Sequence, residues 1–167
     1  MSVADHKASS PDRVACFVLT VSDTRTLETD TGGRTIVSML EAAGHAVTGR
    51  AAVRDEPRDV AQVIREQIGK AEARVIITTG GTGISRRDST YEAVTALFDK
   101  HLDGFGELFR MLSYQEIGAA AMLSRATAGI AAGCAIFMLP GSPAGVRLGM
   151  EKLILPELGH VVREVTR

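Results

Sequence analysis

A glycine-rich loop is the pattern in this sequence with the clearest capacity for chemistry. It follows the β-branched run RVIITT at residues 74–79 and consists of Gly80, Gly81, Thr82 and Gly83. Because glycines lack side chains, the backbone N–H groups of such a loop can approach an anion closely, and a following helix favours negative charge. The loop lacks the Gly-Lys-Ser/Thr of a Walker A motif and does not complete G-x-G-x-x-G. It predicts either an anion site or a plain strand-to-helix turn.

Two isolated aspartates could hold a divalent cation beside such an anion. Asp88 follows the loop closely, and Asp55 stands between a predicted strand and a helix that begins near Pro57. Magnesium is usually held by one or two carboxylates together with substrate phosphates, so two separate aspartates are sufficient. The alternative for Asp88 is a carboxylate at a helix start that makes local hydrogen bonds, and the alternative for Asp55 is a helix cap, which is the commoner use of aspartate at such a position.

Two arginines and a hydroxyl extend the set of groups that could bind phosphate. Arg86 and Arg87 precede Asp88; at least one is expected to be a solvated surface cation, and the other could neutralise phosphate charge. A turn follows the last apolar run and consists of Pro140, Gly141, Ser142 and Pro143. It places a hydroxyl at the end of a strand, although an ordinary strand-to-helix turn would explain it equally.

The elements that must position these groups alternate between strands and helices. Strands are predicted at residues 14–21, 45–53, 74–79, 127–130 and 135–139, the last two as a hairpin around Gly133. Helices are predicted at residues 34–43 and 57–71, from a capping box of Ser89 and Glu92, at 104–124 with a break, and at 144–165 with an interruption at Pro156.

This order predicts a single α/β domain over residues 13–167. Three layers, α/β/α, would surround a mainly parallel sheet with a short hairpin or antiparallel edge strand. Ligands of such sheets bind beyond the carboxyl ends of the strands, where the loops that begin at Ser22, Gly80 and Pro140 are expected.

Composition narrows the classes of function. The 167 residues carry a net charge of −1 and only 4% aromatic side chains, which argues against a nucleic-acid groove. Residues 1–12 are polar and predict a disordered arm and no signal peptide; no apolar run is long enough to span a membrane. We therefore expect a cytoplasmic protein, with Cys16 and Cys134 as buried thiols and the scattered histidines forming no metal site.

Taken together, these residues resemble the MoaB/Mog family of molybdenum cofactor biosynthesis proteins. The matching stretches are LTVSD at 19–23, Asp30-Thr31 with Gly33, Asp55-Glu56, TTGGTG at 78–83 with Arg87-Asp88, GFGE at 104–107, Ser124-Arg125, and LPGSP at 139–143. Residues 109–113 and the turn at Pro140 favour the MoaB branch. One departure is Ser89-Thr90-Tyr91-Glu92, where the family often has Val-Thr-Pro-Glu.

The resemblance implies a function as well as a fold. Molybdopterin would be bound and adenylylated with ATP and Mg²⁺, releasing pyrophosphate. Asp55 and Asp88 would be catalytic and metal-binding. The implied substrate-binding residues are Ser22, Asp23, Thr79, Gly80, Gly81, Thr82, Gly83, Arg87, Ser124, Pro140, Gly141 and Ser142. The alternative is a non-catalytic molybdopterin-binding or scaffold protein of the same pathway, which the presence of both aspartates disfavours.

The resemblance also implies partners. A homotrimer or a hexamer built as a dimer of trimers is expected, because the apolar stretch around residues 105–122 carries more hydrophobic surface than one sheet face needs. Proteins that act later in the pathway are further expected partners.

Overall fold

A six-stranded sheet forms the centre of the fold in the computed structural model, which describes residues 8–167. Its strands are β1 (Ala15–Val21), β2 (Ala46–Val53), β3 (Val75–Thr79), β4 (Lys100–His101), β5 (Thr127–Ala131) and β6 (Cys134–Leu139). The strand order is β2-β1-β3-β6-β5-β4. Strands β2, β1, β3 and β6 are parallel, and β5 runs antiparallel to both of its neighbours. The predicted mainly parallel sheet with an antiparallel hairpin is confirmed.

Helices cover both faces of this sheet. They are α1 (Thr31–Ala42), α2 (Pro57–Lys70), α3 (Thr90–Thr95), α4 (Asp103–Ile117), a 3₁₀ helix (Gly118–Leu123), α5 (Pro143–Gly149), a π-helical turn (Met150–Ile154) and α6 (Leu155–Val165). Because side chains alternate along a strand, Val75 and Ile77 of β3 pack with α1, α4, α5 and α6, whereas Ile76 packs with α2 and α3. The result is the predicted three-layer arrangement.

Several details differ from the prediction. Strand β4 has two residues, too few to produce a sequence pattern. Pro156 lies in the first turn of α6, where proline is tolerated, so the π-helical turn leads into α6 without a break.

Both cysteines are buried as expected, and desolvation raises the pKa of Cys16 to about 12 and of Cys134 to about 11.

The amino-terminal residues that the structure describes lie against helix α6. A Cβ at Gly159 would overlap the Pro11 carbonyl oxygen and would come within 3.5 Å of the Ser10 Cβ. Ser10 and Pro11, which fall within the predicted arm, therefore lie close to α6, and residues 1–7 of that arm lie outside the described part. No helix within residues 8–167 is long and apolar enough to cross a membrane.

A buried aspartate fixes the loop between β1 and α1. Asp30 Oδ1 accepts from the Gly33 N–H at 2.9 Å and so caps α1, which begins at Thr31, three residues before its predicted start. Asp30 Oδ2 accepts from the Thr20 hydroxyl at 2.6 Å and lies 3.4 Å from Arg50 Nη1. The amino end of α1 is thereby held beside the carboxyl ends of the central strands.

Candidate functional site

Two of the predicted ligand loops meet at the carboxyl edge of the sheet. The Gly80 N–H donates to the Leu139 carbonyl at 3.1 Å, and the Thr79 hydroxyl donates to the Pro140 carbonyl at 3.0 Å. A Cβ at Gly141 would lie 3.5 Å from the Gly80 Cα. The loops after β3 and β6 are therefore in direct contact.

The glycines at 80 and 81 are required by their conformation and by their neighbours. Gly80 has φ +95°, and a Cβ there would overlap the Val21 carbonyl oxygen at the end of β1. Gly81 has φ +68°, and its Cβ would overlap the Thr90 hydroxyl and approach Asp55 Oδ2 to 2.9 Å. No other residue type fits either position without displacement of these groups.

The glycine-rich loop presents a run of unused backbone donors. Within residues 8–167, the N–H groups of Gly81, Thr82, Gly83 and Ile84 have no hydrogen-bond acceptor. Thr82 is buried and Gly81 and Gly83 are half-buried, whereas Ile84 is exposed. N–H groups at buried and half-buried positions are normally paired, so the unpaired donors at 81–83 are unusual. Consecutive amides of this kind form a concave surface suited to an oxyanion.

Asp55 is buried and ties the end of β2 to the start of α3. Its Oδ1 accepts from the Ser89 N–H at 3.2 Å, the Ser89 hydroxyl at 3.0 Å and the Thr90 hydroxyl at 2.9 Å. Helix α2 has no side-chain cap, so the capping alternative for Asp55 at that helix is wrong. The predicted capping box of Ser89 and Glu92 is wrong too, because the Ser89 hydroxyl is directed to Asp55.

Asp88 closes the loop that follows the glycines. Its Oδ2 accepts from the Ser85 N–H at 3.0 Å and from the Ser85 hydroxyl at 2.5 Å. The expected local hydrogen bonds of Asp88 are therefore present, but they are made to Ser85; helix α3 begins at Thr90 and receives no cap from Asp88. A Cβ at Gly83 would lie 2.6 Å from Asp88 Oδ2, which places this carboxylate against the glycine-rich loop.

In Asp55 and in Asp88, one carboxylate oxygen remains available to bind a cation. Among the described residues, neither Asp55 Oδ2 nor Asp88 Oδ1 receives a hydrogen bond. Both carboxylates border the same loop, and two hard oxygen ligands suit Mg²⁺ when phosphate oxygens complete its shell. Residues 8–167 contain no group of three or more His, Cys, Asp or Glu side chains able to bind a metal without such help.

Arg87 is engaged by carboxylates rather than left free. Its Nε donates to Asp23 Oδ2 at 2.7 Å, and its Nη2 donates to Asp23 Oδ1 at 3.0 Å and to Glu56 Oε1 at 2.7 Å. The guanidinium lowers the pKa of Asp23 and has its own pKa raised by the two carboxylates. Arg87 thus links the loops after β1, β2 and β3. Arg86, by contrast, is exposed and has no polar partner in the described part of the chain.

The three predicted serines lie around the edges of the site. Ser22 Oγ accepts from the Thr24 and Arg25 N–H groups and shapes the loop after β1. Ser142 Oγ accepts from the Gly145 N–H at 3.1 Å and caps α5. Ser124 and Ser142 line one cavity of about 130 Å³, together with Pro140, Phe109, Ser113 and Ile117.

Sequence reasoning names Ser124 as a site residue and omits its neighbour Arg125. The Arg125 guanidinium donates to the carbonyl oxygens of Thr82, Gly83 and Asp88, so it contacts the glycine-rich loop directly. The one sequence feature that points to Arg125 is its place in the stretch Ser124-Arg125, which matches the family. Its hydrogen-bond partners lie about 40 residues away along the chain, so a local sequence pattern cannot predict them.

Replacement of Gly81 by alanine tests the crowding at the loop. Gly44 is a matched control, because it has φ +86° and nothing within 4 Å of its would-be Cβ. Gly44→Ala should cost only the conformational strain of a positive φ, about 1–2 kcal/mol. Gly81→Ala should lower the free energy of unfolding by about 1–3 kcal/mol more, because Thr90 and Asp55 must move. Equal losses in urea unfolding of the two variants would contradict this geometry.

Comparison with known proteins identifies the family. A family model described as "Probable molybdopterin binding domain" matches residues 17–160. Molybdenum cofactor biosynthesis protein B of Bacillus subtilis strain 168 is 51% identical over 168 residues, which cover 100% of this chain and 99% of that protein.

Solved structures agree with this match. A crystal structure of molybdenum cofactor biosynthesis protein B has a TM-score of 0.91 and 49% identity, covering 95% of this chain and 99% of that one. The tungsten cofactor synthesizing protein MoaB from Pyrococcus furiosus has a TM-score of 0.85 and 38% identity, covering 95% and 100%. This chain therefore belongs to the molybdopterin-binding domain family of the molybdenum cofactor biosynthesis proteins.

Proposed function

We propose that this chain binds molybdopterin and adenylylates it with ATP and Mg²⁺, releasing pyrophosphate. The observation that carries the proposal is the run of unpaired N–H groups at residues 81–84, bordered by the carboxylates of Asp55 and Asp88. Backbone donors beside a two-carboxylate cation site are the groups that a nucleoside triphosphate requires. The dependence on ATP makes the cytoplasm the compartment of the reaction.

Nucleotidyl transfer makes modest covalent demands on a protein. A phosphate oxygen of molybdopterin attacks the α-phosphorus of ATP, the bond to the β-phosphate bridging oxygen breaks, and pyrophosphate leaves with that electron pair. The enzyme must hold the two substrates in line and stabilise charge as it moves onto the leaving group. No covalent intermediate on the protein is needed.

The residues of this chain divide these tasks. The amides of the glycine-rich loop would bind phosphate oxygens. Asp55 and Asp88 would hold Mg²⁺ through their free oxygens, and Mg²⁺ when bound would neutralise charge on the triphosphate. Arg86 is exposed and unpaired, so it is better placed than Arg87 to neutralise phosphate, while Arg87 keeps the three loops together. Ser124 and Ser142 would contact the pterin substrate.

Asp88→Asn separates catalysis from structure. Asparagine can still accept a hydrogen bond from Ser85, so the loop should stay closed and molybdopterin binding should persist. The rate of pyrophosphate release should fall by roughly 10²–10³, the usual cost of losing an electrostatic contact to the transition state. The measurement is pyrophosphate release by the purified protein with molybdopterin, ATP and Mg²⁺, alongside calorimetric binding of molybdopterin.

Ser85→Ala is the matched control for this variant. It removes one donor to Asp88 and leaves the carboxylate intact, so its rate should stay near that of the parent. If Ser85→Ala loses as much activity as Asp88→Asn, Asp88 acts through loop structure and the metal role is wrong. A parent chain that binds molybdopterin without releasing pyrophosphate would favour the non-catalytic alternative.

The second part of the proposal is a homo-oligomer, a trimer or a dimer of trimers. Six large apolar side chains are exposed between residues 108 and 123, and Met122 is 78% exposed. They are Leu108, Met111, Tyr114, Ile117, Met122 and Leu123. Several exposed large apolar side chains on one helix and the 3₁₀ helix after it are typical of an oligomer interface.

Sedimentation tests this surface. The parent chain at micromolar concentration should sediment as a trimer or hexamer, and Met122→Glu should shift it to monomer by placing a charge in an apolar interface. Leu27→Glu, at an exposed leucine outside this surface, should leave the assembly unchanged. A monomeric parent chain, or equal effects of the two variants, would contradict the proposal.

A further inference from the structure

Arg125 lies behind the glycine-rich loop and binds its carbonyl oxygens. Its Nε donates to the Thr82 carbonyl at 3.3 Å, and its Nη2 donates to the Gly83 carbonyl at 2.5 Å and to the Asp88 carbonyl at 3.3 Å. The residue stands between the 3₁₀ helix and β5, and because β5 runs antiparallel to β6, this end of β5 lies at the same edge of the sheet as the glycine-rich loop.

These contacts determine the direction of the neighbouring N–H groups. In a trans peptide, the carbonyl of one residue and the N–H of the next point in opposite directions. The carbonyls of Thr82 and Gly83 face Arg125, so the N–H groups of Gly83 and Ile84 face away from it. Neither N–H has an acceptor among the described residues.

The third carbonyl that Arg125 binds, that of Asp88, shows the same geometry, and here the N–H of the next residue has an acceptor. The Asp88 carbonyl faces Arg125, and the next N–H, that of Ser89, donates to Asp55 Oδ1 at 3.2 Å on the opposite side. Arg125 and Asp55 therefore bind the two ends of one peptide group from opposite directions.

We propose that Arg125 is a positioning residue: by holding the carbonyls from behind, it turns the amides of Gly83 and Ile84 toward a bound phosphate. The inference rests on the proposed anion-binding role of the glycine-rich loop and deepens it. Arg125 acts through the backbone, so its charge alone is insufficient; the planar fork of five donors is what spans three carbonyls.

Two side chains of α3 hold the guanidinium in this orientation. The Arg125 Cζ lies 4.7 Å from the centre of the Tyr91 ring, and Nη1 forms an ion pair with Glu92 that lowers the pKa of that carboxyl. The aromatic residue is thus part of how this chain fixes Arg125.

The test uses inorganic pyrophosphate with Mg²⁺ as the probe and calorimetry as the measurement. Arg125→Lys keeps the positive charge and loses the fork, and the dissociation constant should rise roughly 10- to 100-fold, the value of a charged hydrogen-bond set. Arg110→Lys is the matched control: Arg110 Nη1 also binds carbonyls nearby, those of Ser124 and Ala126, but none in the loop. Its dissociation constant should be unchanged.

Chemical rescue separates positioning from a general loss of structure. Arg125→Ala should bind pyrophosphate weakly and should recover part of its affinity when guanidinium ion is added at millimolar concentration, which methylammonium should fail to achieve. Tyr91→Phe should retain affinity because it keeps the ring, whereas Tyr91→Leu should lose several-fold. These two variants leave Arg125 in place, so they remain informative if the arginine variants do not fold.

The outcomes distinguish this inference from the proposed function. If the parent chain does not bind pyrophosphate, the anion-binding role of the loop is wrong. If the parent binds and Arg125→Lys binds equally well, the loop is an anion site and the positioning role of Arg125 is wrong. Rescue by methylammonium as effective as by guanidinium would show that charge alone matters and would also overturn the inference.

Discussion

The direction in which the peptide groups of the glycine-rich loop face governs what the rest of the site can do. The chain leaves the buried strand β3 at Gly80, next to the Val21 carbonyl, and changes direction again at Gly81, next to Thr90 and Asp55. The carbonyls that this path turns inward are satisfied by Arg125, and the amides that it turns outward keep their donors free. Ordinary folding stability would favour pairing both sets, so the unpaired donors support the proposal that this loop binds a ligand.

The two aspartates show a similar division between structure and function. One oxygen of Asp55 fixes the start of α3 through three hydrogen bonds, and one oxygen of Asp88 closes the loop onto Ser85. The second oxygen of each stays available beside the loop. A carboxylate whose orientation is fixed in this way is preorganised, because the rotamer entropy is already lost before a cation binds.

The central elements and the loops that meet at the candidate site are predictable from sequence because their signals are local. The β-branched run before Gly80, the helix-forming periodicities and the turn at Pro140 each specify a strand end or a helix within a few residues. The roles of Arg87 and Arg125 are not predictable in this way, because their partners lie 64 and 43 residues away along the chain. The same holds for Ser89. Its local pattern indicates a helix cap, but its hydroxyl donates a hydrogen bond to Asp55, 34 residues away along the chain. Strand β4 is too short to leave any pattern.

The most direct test of the account is an amide NMR titration of the ¹⁵N-labelled chain with pyrophosphate and Mg²⁺. The amide protons of Gly81, Gly83 and Ile84 should shift downfield and saturate together, because each gains a charged acceptor. Gly44 and Gly133, which occupy positive-φ turns elsewhere, should be unaffected. Saturable shifts confined to other regions of the chain, or an absence of saturable shifts at the loop, would contradict the assignment of these amides as the anion site.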